Sequence, residues 1–255
     1  MSLLSDVLSK KVTKIRVSQL SGVEKIAGSA FYNFTALSEV CLPSTLKEIE
    51  SNSFYGCSAL RKLSIDNISP YIKISSGAFG SIGGDGYIKP NIDIIASQPD
   101  ETMICISNNR VLFHNKITDP TAGFVIPGTV INLTGGSCSK YGDISLTNVT
   151  IPDTVEVVGD DVFDGHNSLA TITIGSSVRF IDAHLCPGTQ TTTLIFRQPA
   201  GMYVELPTPG DGTGLAYNKN SHSITIYTDN ECIKNYDWAT DNVTVTFYSL
   251  SEAPV

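Results

Sequence analysis

Charge is scarce in this chain. Asp, Glu, Lys and Arg make up 16% of its 255 residues, and 17 basic against 25 acidic side chains leave a net charge of -8. No basic cluster could neutralise a run of phosphates, which argues against nucleic acid as a partner. Long apolar runs are absent, and nothing approaches the roughly 20 residues that cross a bilayer. The first eleven residues, Met1 to Lys11, lack the basic segment and apolar run of a secretory signal. The expectation is synthesis in the cytoplasm without classical export and no membrane insertion. Six cysteines are scattered at 41, 57, 105, 138, 186 and 232, with no C-x-x-C, and no two of the four histidines lie three or four residues apart. Thiols are expected rather than a disulfide ladder or a metal site.

The motifs of common catalytic sites are missing as well. There is no G-x-x-x-x-G-K to cradle phosphates, no G-x-S-x-G elbow to present a nucleophile and no H-E-x-x-H to hold zinc. Asp160, Asp161 and Asp164 cluster without the alternation of a calcium loop and read as a solvated turn. His166 falls in a column of packed residues rather than beside a nucleophile. No enzyme activity and no cofactor are expected.

What the chain has instead is a figure that recurs. Leu60-x-x-Leu63-x-Ile65 is matched by Val12-x-x-Ile15-x-Val17, Leu37-x-x-Val40-x-Leu42, Leu146-x-x-Val149-x-Ile151 and Leu169-x-x-Ile172-x-Ile174. Thr191-x-x-Leu194-x-Phe196 fits with one polar departure. The steps are 25 and 23 residues from Ile15 to Val40 to Leu63, then 23 and 22 from Val149 to Ile172 to Leu194. A period of 20–29 with L-x-x-L-x-L marks a leucine-rich solenoid, in which each repeat buries its apolar face only against its neighbours. An apolar pair spaced by three follows each figure: Val23/Ile26, Leu46/Ile49, Tyr71/Ile74, Val130/Leu133, Val155/Val158 and Val178/Ile181. Five residues on stand Phe31, Phe54, Phe79 and Phe163. Three further on stand Phe34, Cys57, Ile82 and His166. Pro43, Pro127 and Pro152 stop the strands.

Leu42 to Ile65 resembles the unit of the BspA-like leucine-rich repeat family, L-P-x-x-L-x-x-I-x-x-x-A-F-x-x-C-x-x-L-x-x-I, with Ser53 in place of Ala. Ser29-Ala30-Phe31, Gly77-Ala78-Phe79 and Asp161-Val162-Phe163 are variants of the Ala-Phe element, and the likeness runs over about residues 11–200. The resemblance implies a curved solenoid with a mostly parallel β-sheet on its concave side and short turns or helices opposite. It also implies a recognition or adhesion module binding a protein or glycan on a cell surface, since the family occurs on bacterial and protozoan surfaces and in bacteriophages. Without an export signal, a virion component such as a tail, baseplate or decoration protein is the preferred setting. A free surface adhesin and an intracellular scaffold are the alternatives.

Residues 1–10 are expected to cap the first repeat or to dock onto other virion proteins. Repeats should occupy 11–228, interrupted by an irregular insertion at 83–123 and a breaker-rich loop at 198–221. A C-terminal capping unit should span 229–255, with Cys232, Ile233, Tyr236 and Trp238 over the last repeat. Residues between the leucines of each figure point out of the sheet. One outward row then reads Arg16, Cys41, Ser64, Asp93, Val125, Thr150, Thr173, Ile195 and Thr225, and its neighbour reads Lys14, Glu39, Lys62, Asn91, Gly123, Asn148, Thr171, Thr193 and Ser223. The candidate ligand-binding residues are Asn148, Thr150, Thr171, Thr173, Thr193, Ile195 and Thr225. Whether the chain self-associates is left open.

Overall fold

The computed structural model describes residues 10–16, 22–60, 62–64, 69–75, 77–79, 93–95, 98–99, 103–106, 111–115, 126, 128–138, 146–185, 191–209, 214–216, 222–241 and 243–254. The candidate arm at 2–9 lies outside them. The chain forms two compact units, Met1–Asn115 and Lys116–Val255.

The first unit contains β1 (Lys14–Arg16), β2 (Lys25–Ile26), β3 (Glu39–Cys41), β4 (Glu48–Ile49), β5 (Lys62–Ser64), β6 (Lys73–Ile74), β7 (Asp93–Ile95), β8 (Gln98–Pro99), β9 (Met103–Ile106) and β10 (Val111–Asn115). Strands β1, β3, β5 and β7 make one parallel sheet, and β2, β4 and β6 make a second, narrower one. The first three repeats each contribute one rung to both, and β7 adds a fourth to the first. The first sheet is the L-x-x-L-x-L figure, and the second is the end of the apolar pair, whose Ile26, Ile49 and Ile74 are buried. Strands β8, β9 and β10 pair antiparallel, so the insertion is a small meander.

The third side of each coil is a turn carrying the aromatic column. Phe54 stacks on Phe31 at 5.0 Å and on Phe79 at 5.1 Å between ring centroids. Two backbone positions in this turn recur with positive φ. One directly precedes the Ala-Phe element: Ser29, Asn52, Gly77, Gly136, Asp161 and His184 all fall between +51° and +68°. The other follows two residues after the Phe, at Asn33, Gly56 and Gly165. A left-handed residue costs about 1–2 kcal/mol for most side chains, least for Gly and then Asn or Asp, which explains the composition of both columns. Pro43 and Pro152 open tight turns, their carbonyls accepting from the N–H of Leu46 and Val155.

Outward charges in this unit pair across the rungs. Lys14 reaches Glu39 at 2.8 Å, and Lys25 reaches Glu48 at 3.0 Å and also Glu50. The register then sets Lys62 beside Glu39, Asp93 beside Lys62, and Lys73 beside Glu48. Asp93 was expected in the row of Arg16. It lies instead in the row of Lys14, and Ile95 takes the place opposite Ser64. A second expectation fails at Tyr71, which is 57% exposed. Ile72, 1% exposed, holds the apolar column, because a turn through Ser69 and Ile72 takes up one residue fewer before the strand.

The second unit contains β11 (Asn132–Leu133), β12 (Asn148–Ile151), β13 (Val157–Val158), β14 (Thr171–Ile174), β15 (Phe180–Ile181), β16 (Thr193–Phe196), β17 (His222–Tyr227), a four-residue helix α1 (Glu231–Lys234) and β18 (Val243–Tyr248). Strands β12, β14, β16, β17 and β18 form one parallel sheet, and β11, β13 and β15 form the narrower one. Val149, Ile172, Leu194 and Ile226 stack as one buried row. The polar departure at Thr191 is fully buried, and its hydroxyl donates to the Leu169 carbonyl of the preceding repeat at 2.8 Å. After β17 the chain turns into α1, where the Asn230 side chain caps the N–H groups of Cys232 and Ile233. Ile233 and Trp238 are buried, and the indole N–H donates to the Ile233 carbonyl at 3.0 Å.

Candidate functional site

The outward face of the five-stranded sheet holds the expected residues, with its rows now set by the register. One row runs Asn148, Thr171, Thr193, Thr225 and Thr246. The other runs Thr150, Thr173, Ile195, Tyr227 and Tyr248. Thr225 therefore lies beside Thr193, two residues from its expected place beside Ile195, which belongs to Tyr227. Asn148 and Thr150 are exposed on the first strand, while Thr171, Thr193 and Thr225 are half-buried. Thr173 and Ile195, at 7% and 5% exposure, are buried. Both are middle rungs with a larger neighbour on the next strand, Ile195 beside Thr173 and Tyr227 beside Ile195, so they are the floor of the face and offer no surface to a ligand.

Sequence reasoning passed over the aromatic end of this face. Tyr227 and Tyr248 stack at 5.5 Å between centroids, with ring planes 26° apart, and Tyr248 is 43% exposed on the last strand. The signal was present. Thr225-x-Tyr227 and Thr246-x-Tyr248 are the same tripeptide on consecutive strands, and aligning them sets the register. No hydrogen bond within the protein, among the described residues, engages the hydroxyls of Thr171, Thr193, Thr225 or Thr246. Both rows consist of uncharged residues, in contrast to the paired charges of the first unit.

Two of the four histidines, His166 and His184, have structural partners within the protein. His166 is buried, and its Nδ1 accepts from the Leu146 N–H at 3.1 Å. That leaves the ring proton on Nε2, which donates to the Cys138 carbonyl at 2.9 Å. Cys57, in the same column of an earlier repeat, donates from Sγ to the Phe31 carbonyl at 3.3 Å. Burial pushes its thiol up to about 11, so it stays protonated. The third member of the repeat's A-F-x-x-C figure is thus a donor that reaches the aromatic-column carbonyl of the previous coil.

His184 pairs through Nδ1 with the Asp161 carboxylate at 2.9 Å. That hydrogen bond, helped by the charges of Asp161, Asp160 and Asp241, raises its pKa above the usual 6.5 against the opposing effect of burial. Asp161 is therefore tied into the turn column, while Asp164 is exposed. Asp241, fully buried, accepts from the Tyr236 hydroxyl at 2.9 Å and the Ala216 N–H at 3.2 Å, and Tyr236 in turn accepts from the Leu215 N–H. Burial raises the Tyr236 pKa far above the ordinary phenol value. These bonds fasten 214–216 to the C-terminal segment. Cys41, Cys57, Cys138 and Cys232 are thiols. Among the described residues no group of three or more His, Cys, Asp or Glu could hold a metal ion, and no helix is long and apolar enough to cross a membrane.

Coiled repeats of two parallel sheets and a turn, held by a leucine figure and an Ala-Phe element, define a leucine-rich repeat protein. The chain belongs to the BspA type Leucine rich repeat region family, six copies of which match at residues 8–93 and 137–201, more than half of the chain. Among solved structures it is similar to the pneumococcal vaccine antigen PcpA, with 14% identity and a TM-score of 0.36 over 94% of this chain and 77% of that one. A leucine-rich cell surface protein from Faecalibacterium prausnitzii shares 19% identity at a TM-score of 0.27, over 68% of this chain and 59% of the other. A leucine-rich repeat protein from Bacteroides ovatus shares 14% at 0.26, over 94% and 84%. No curated protein matches the chain.

Proposed function

We propose that this protein is a non-enzymatic recognition module that binds a protein or glycan on a cell surface through the outward rows of β12, β14, β16, β17 and β18. The observation that carries the reading is the contrast between the wide sheets of the two units. In the first, the outward Lys14 and Glu39 are engaged with one another across the rungs. In the second, the outward rows are uncharged, and four threonine hydroxyls have no hydrogen bond inside the protein among the described residues. Such hydroxyls add only about 0.5–1.5 kcal/mol each when they bond a ligand. Useful attachment therefore comes from several rungs at once and from copies displayed together on a bacterial envelope or a virion. Residues 229–255 close the array in this reading, and the family's bacteriophage members make a virion component the preferred setting.

The test is a triple substitution of Thr171, Thr193 and Thr225 by Lys, with the fold checked by circular dichroism and the chain displayed on beads. Parent beads should adhere to a subset in a panel of bacterial and epithelial cells, and the folded triple variant should not. Equal adhesion by both would remove this face as the binding surface. Adhesion of neither to any cell would remove the module reading.

A further inference from the structure

We propose that the Tyr227–Tyr248 stack, with the hydroxyls of Thr225 and Thr246 beside it, is a platform for one pyranose ring of an uncharged glycan. The proposal rests on the recognition-module reading and names both the ligand class and the place where it sits. Four observations meet here. The two rings occupy the same outward row, and the register sets Thr225 beside Thr246 two residues before them. The row continues inward to Ile195, which is 5% exposed, so the stack is built on a packed apolar floor. At its other end Tyr248 stands on the last strand of the sheet, with one ring face against Tyr227 and 43% of the residue open. The rows on β14 to β18 contain threonines, tyrosines and Ile195, with no charged side chain.

That combination is the complement of a sugar ring. A pyranose of the gluco or galacto series has one face of axial C–H groups and a rim of equatorial hydroxyls. The C–H hydrogens are slightly positive and seek the negative face of an aromatic ring, the same electrostatics that pair aromatic rings with one another. The rim needs neutral donors and acceptors at the edge of that ring, and a hydroxyl is both. A ring laid on the open face of Tyr248 continues the row by one rung, and its hydroxyls then lie along the line of Thr225 and Thr246. A phosphate or an acidic peptide would find no cation in these rows, and a purely apolar partner would leave the threonine hydroxyls dry and unbonded.

The experiment is saturation-transfer NMR on the full chain with cellobiose and lactose, and with a sulfated chondroitin disaccharide as the charged control. Four proteins are compared: the parent, Tyr248→Ala, Tyr248→Phe and Thr246→Val. Transfer should be strongest at the axial ring protons of one sugar residue. It should fall about tenfold in affinity, or ~1.4 kcal/mol, with Tyr248→Ala. It should persist with Tyr248→Phe, which keeps the ring, and weaken with Thr246→Val. The position of Tyr248 on an open edge makes its substitutions tolerable to the fold, and circular dichroism of each variant checks this. No transfer to either neutral sugar, or equal transfer to the Tyr248→Ala variant, overturns the proposal. So does a dimer in the parent that Tyr248→Ala dissolves, because a second copy would then be the occupant. If cells are still bound through Thr171 and Thr193 while Tyr248→Ala is without effect, the module reading stands and the sugar platform alone falls.

Discussion

His166 donates from Nε2 to the carbonyl of Cys138, 2.9 Å away in the preceding repeat, while its Nδ1 accepts from the Leu146 N–H. One ring thereby satisfies two buried backbone groups of different coils. Cys57 does half of this with its thiol at Phe31. His166→Phe would supply the residue type that Phe34 provides at the same position of the repeat in the first unit, but would leave a buried N–H and a buried C=O without partners. A loss of roughly 2–4 kcal/mol is expected from those two orphaned groups. Urea unfolding of the parent and variant measures it. Cys57→Ser keeps a donor in place and should cost less than His166→Phe.

The aromatic column predicts a graded response. Phe54 is fully buried between Phe31 and Phe79, stacked on both. Phe54→Ala should destabilise by about 3–5 kcal/mol, as for other buried aromatics cut to a methyl. Phe31 is only partly buried, with a stacked neighbour on one side, so Phe31→Ala should cost visibly less in the same denaturation experiment.

The left-handed turn position gives a backbone test that contact loss cannot mimic. Asn52 sits at φ 59° and is exposed. Asn52→Gly should be neutral within about 0.5 kcal/mol, because glycine adopts that conformation without a Cβ penalty. Asn52→Val should cost about 1–2 kcal/mol or more, since a β-branched side chain resists positive φ. Equal thermal shifts for the two variants would show that the side chain, and not the backbone, matters there.

The leucine figure, the narrow-sheet column and the aromatic column were all legible, because burial at a fixed period leaves the same residue types in the same places. Register was legible only to within two residues. A slip of one would turn Thr225 into the core, but a slip of two preserves the alternation entirely. Asp93 and Thr225 were both misplaced by that amount, each just beyond an irregular stretch. Charge could have corrected the first, since Asp93 belongs opposite Lys62 in the alternating row of Lys14, Glu39 and Lys62. The repeated T-x-Y tripeptide could have corrected the second. The interrepeat bonds of His166 and Thr191 were not legible, because both depend on which carbonyl of a previous coil lies within reach. Burial of Thr173 and Ile195 depends likewise on neighbours brought together only by folding.

The His184–Asp161 pair makes the second unit less stable as pH rises, which runs against the usual carboxylate-driven trend. The hydrogen bond to Asp161, with the nearby charges of Asp161, Asp160 and Asp241, holds the folded pKa of His184 above 6.5, although burial opposes it. Below about pH 6.5 the imidazole is protonated in both the folded and the unfolded chain, and the ion pair contributes fully. As pH climbs past 6.5 the unfolded chain releases the proton while the folded chain retains it, so folding is progressively disfavoured. Once pH exceeds the folded value, the charged pair is gone. Both side chains are about a third exposed, at 32% and 33%, so solvent screening keeps the whole effect below about 1 kcal/mol. Urea midpoints at a series of pH values from 5.5 to 8.5 should fall across this window in the parent. His184→Asn keeps a side chain that tolerates φ 56° but removes the titration, and should flatten the profile. Asp161→Asn should flatten it too, because an amide lacks the negative charge that favours protonated His184. A parent profile that stays level, or one that rises with pH and is unchanged in both variants, would mean the pair carries no pH-dependent stability.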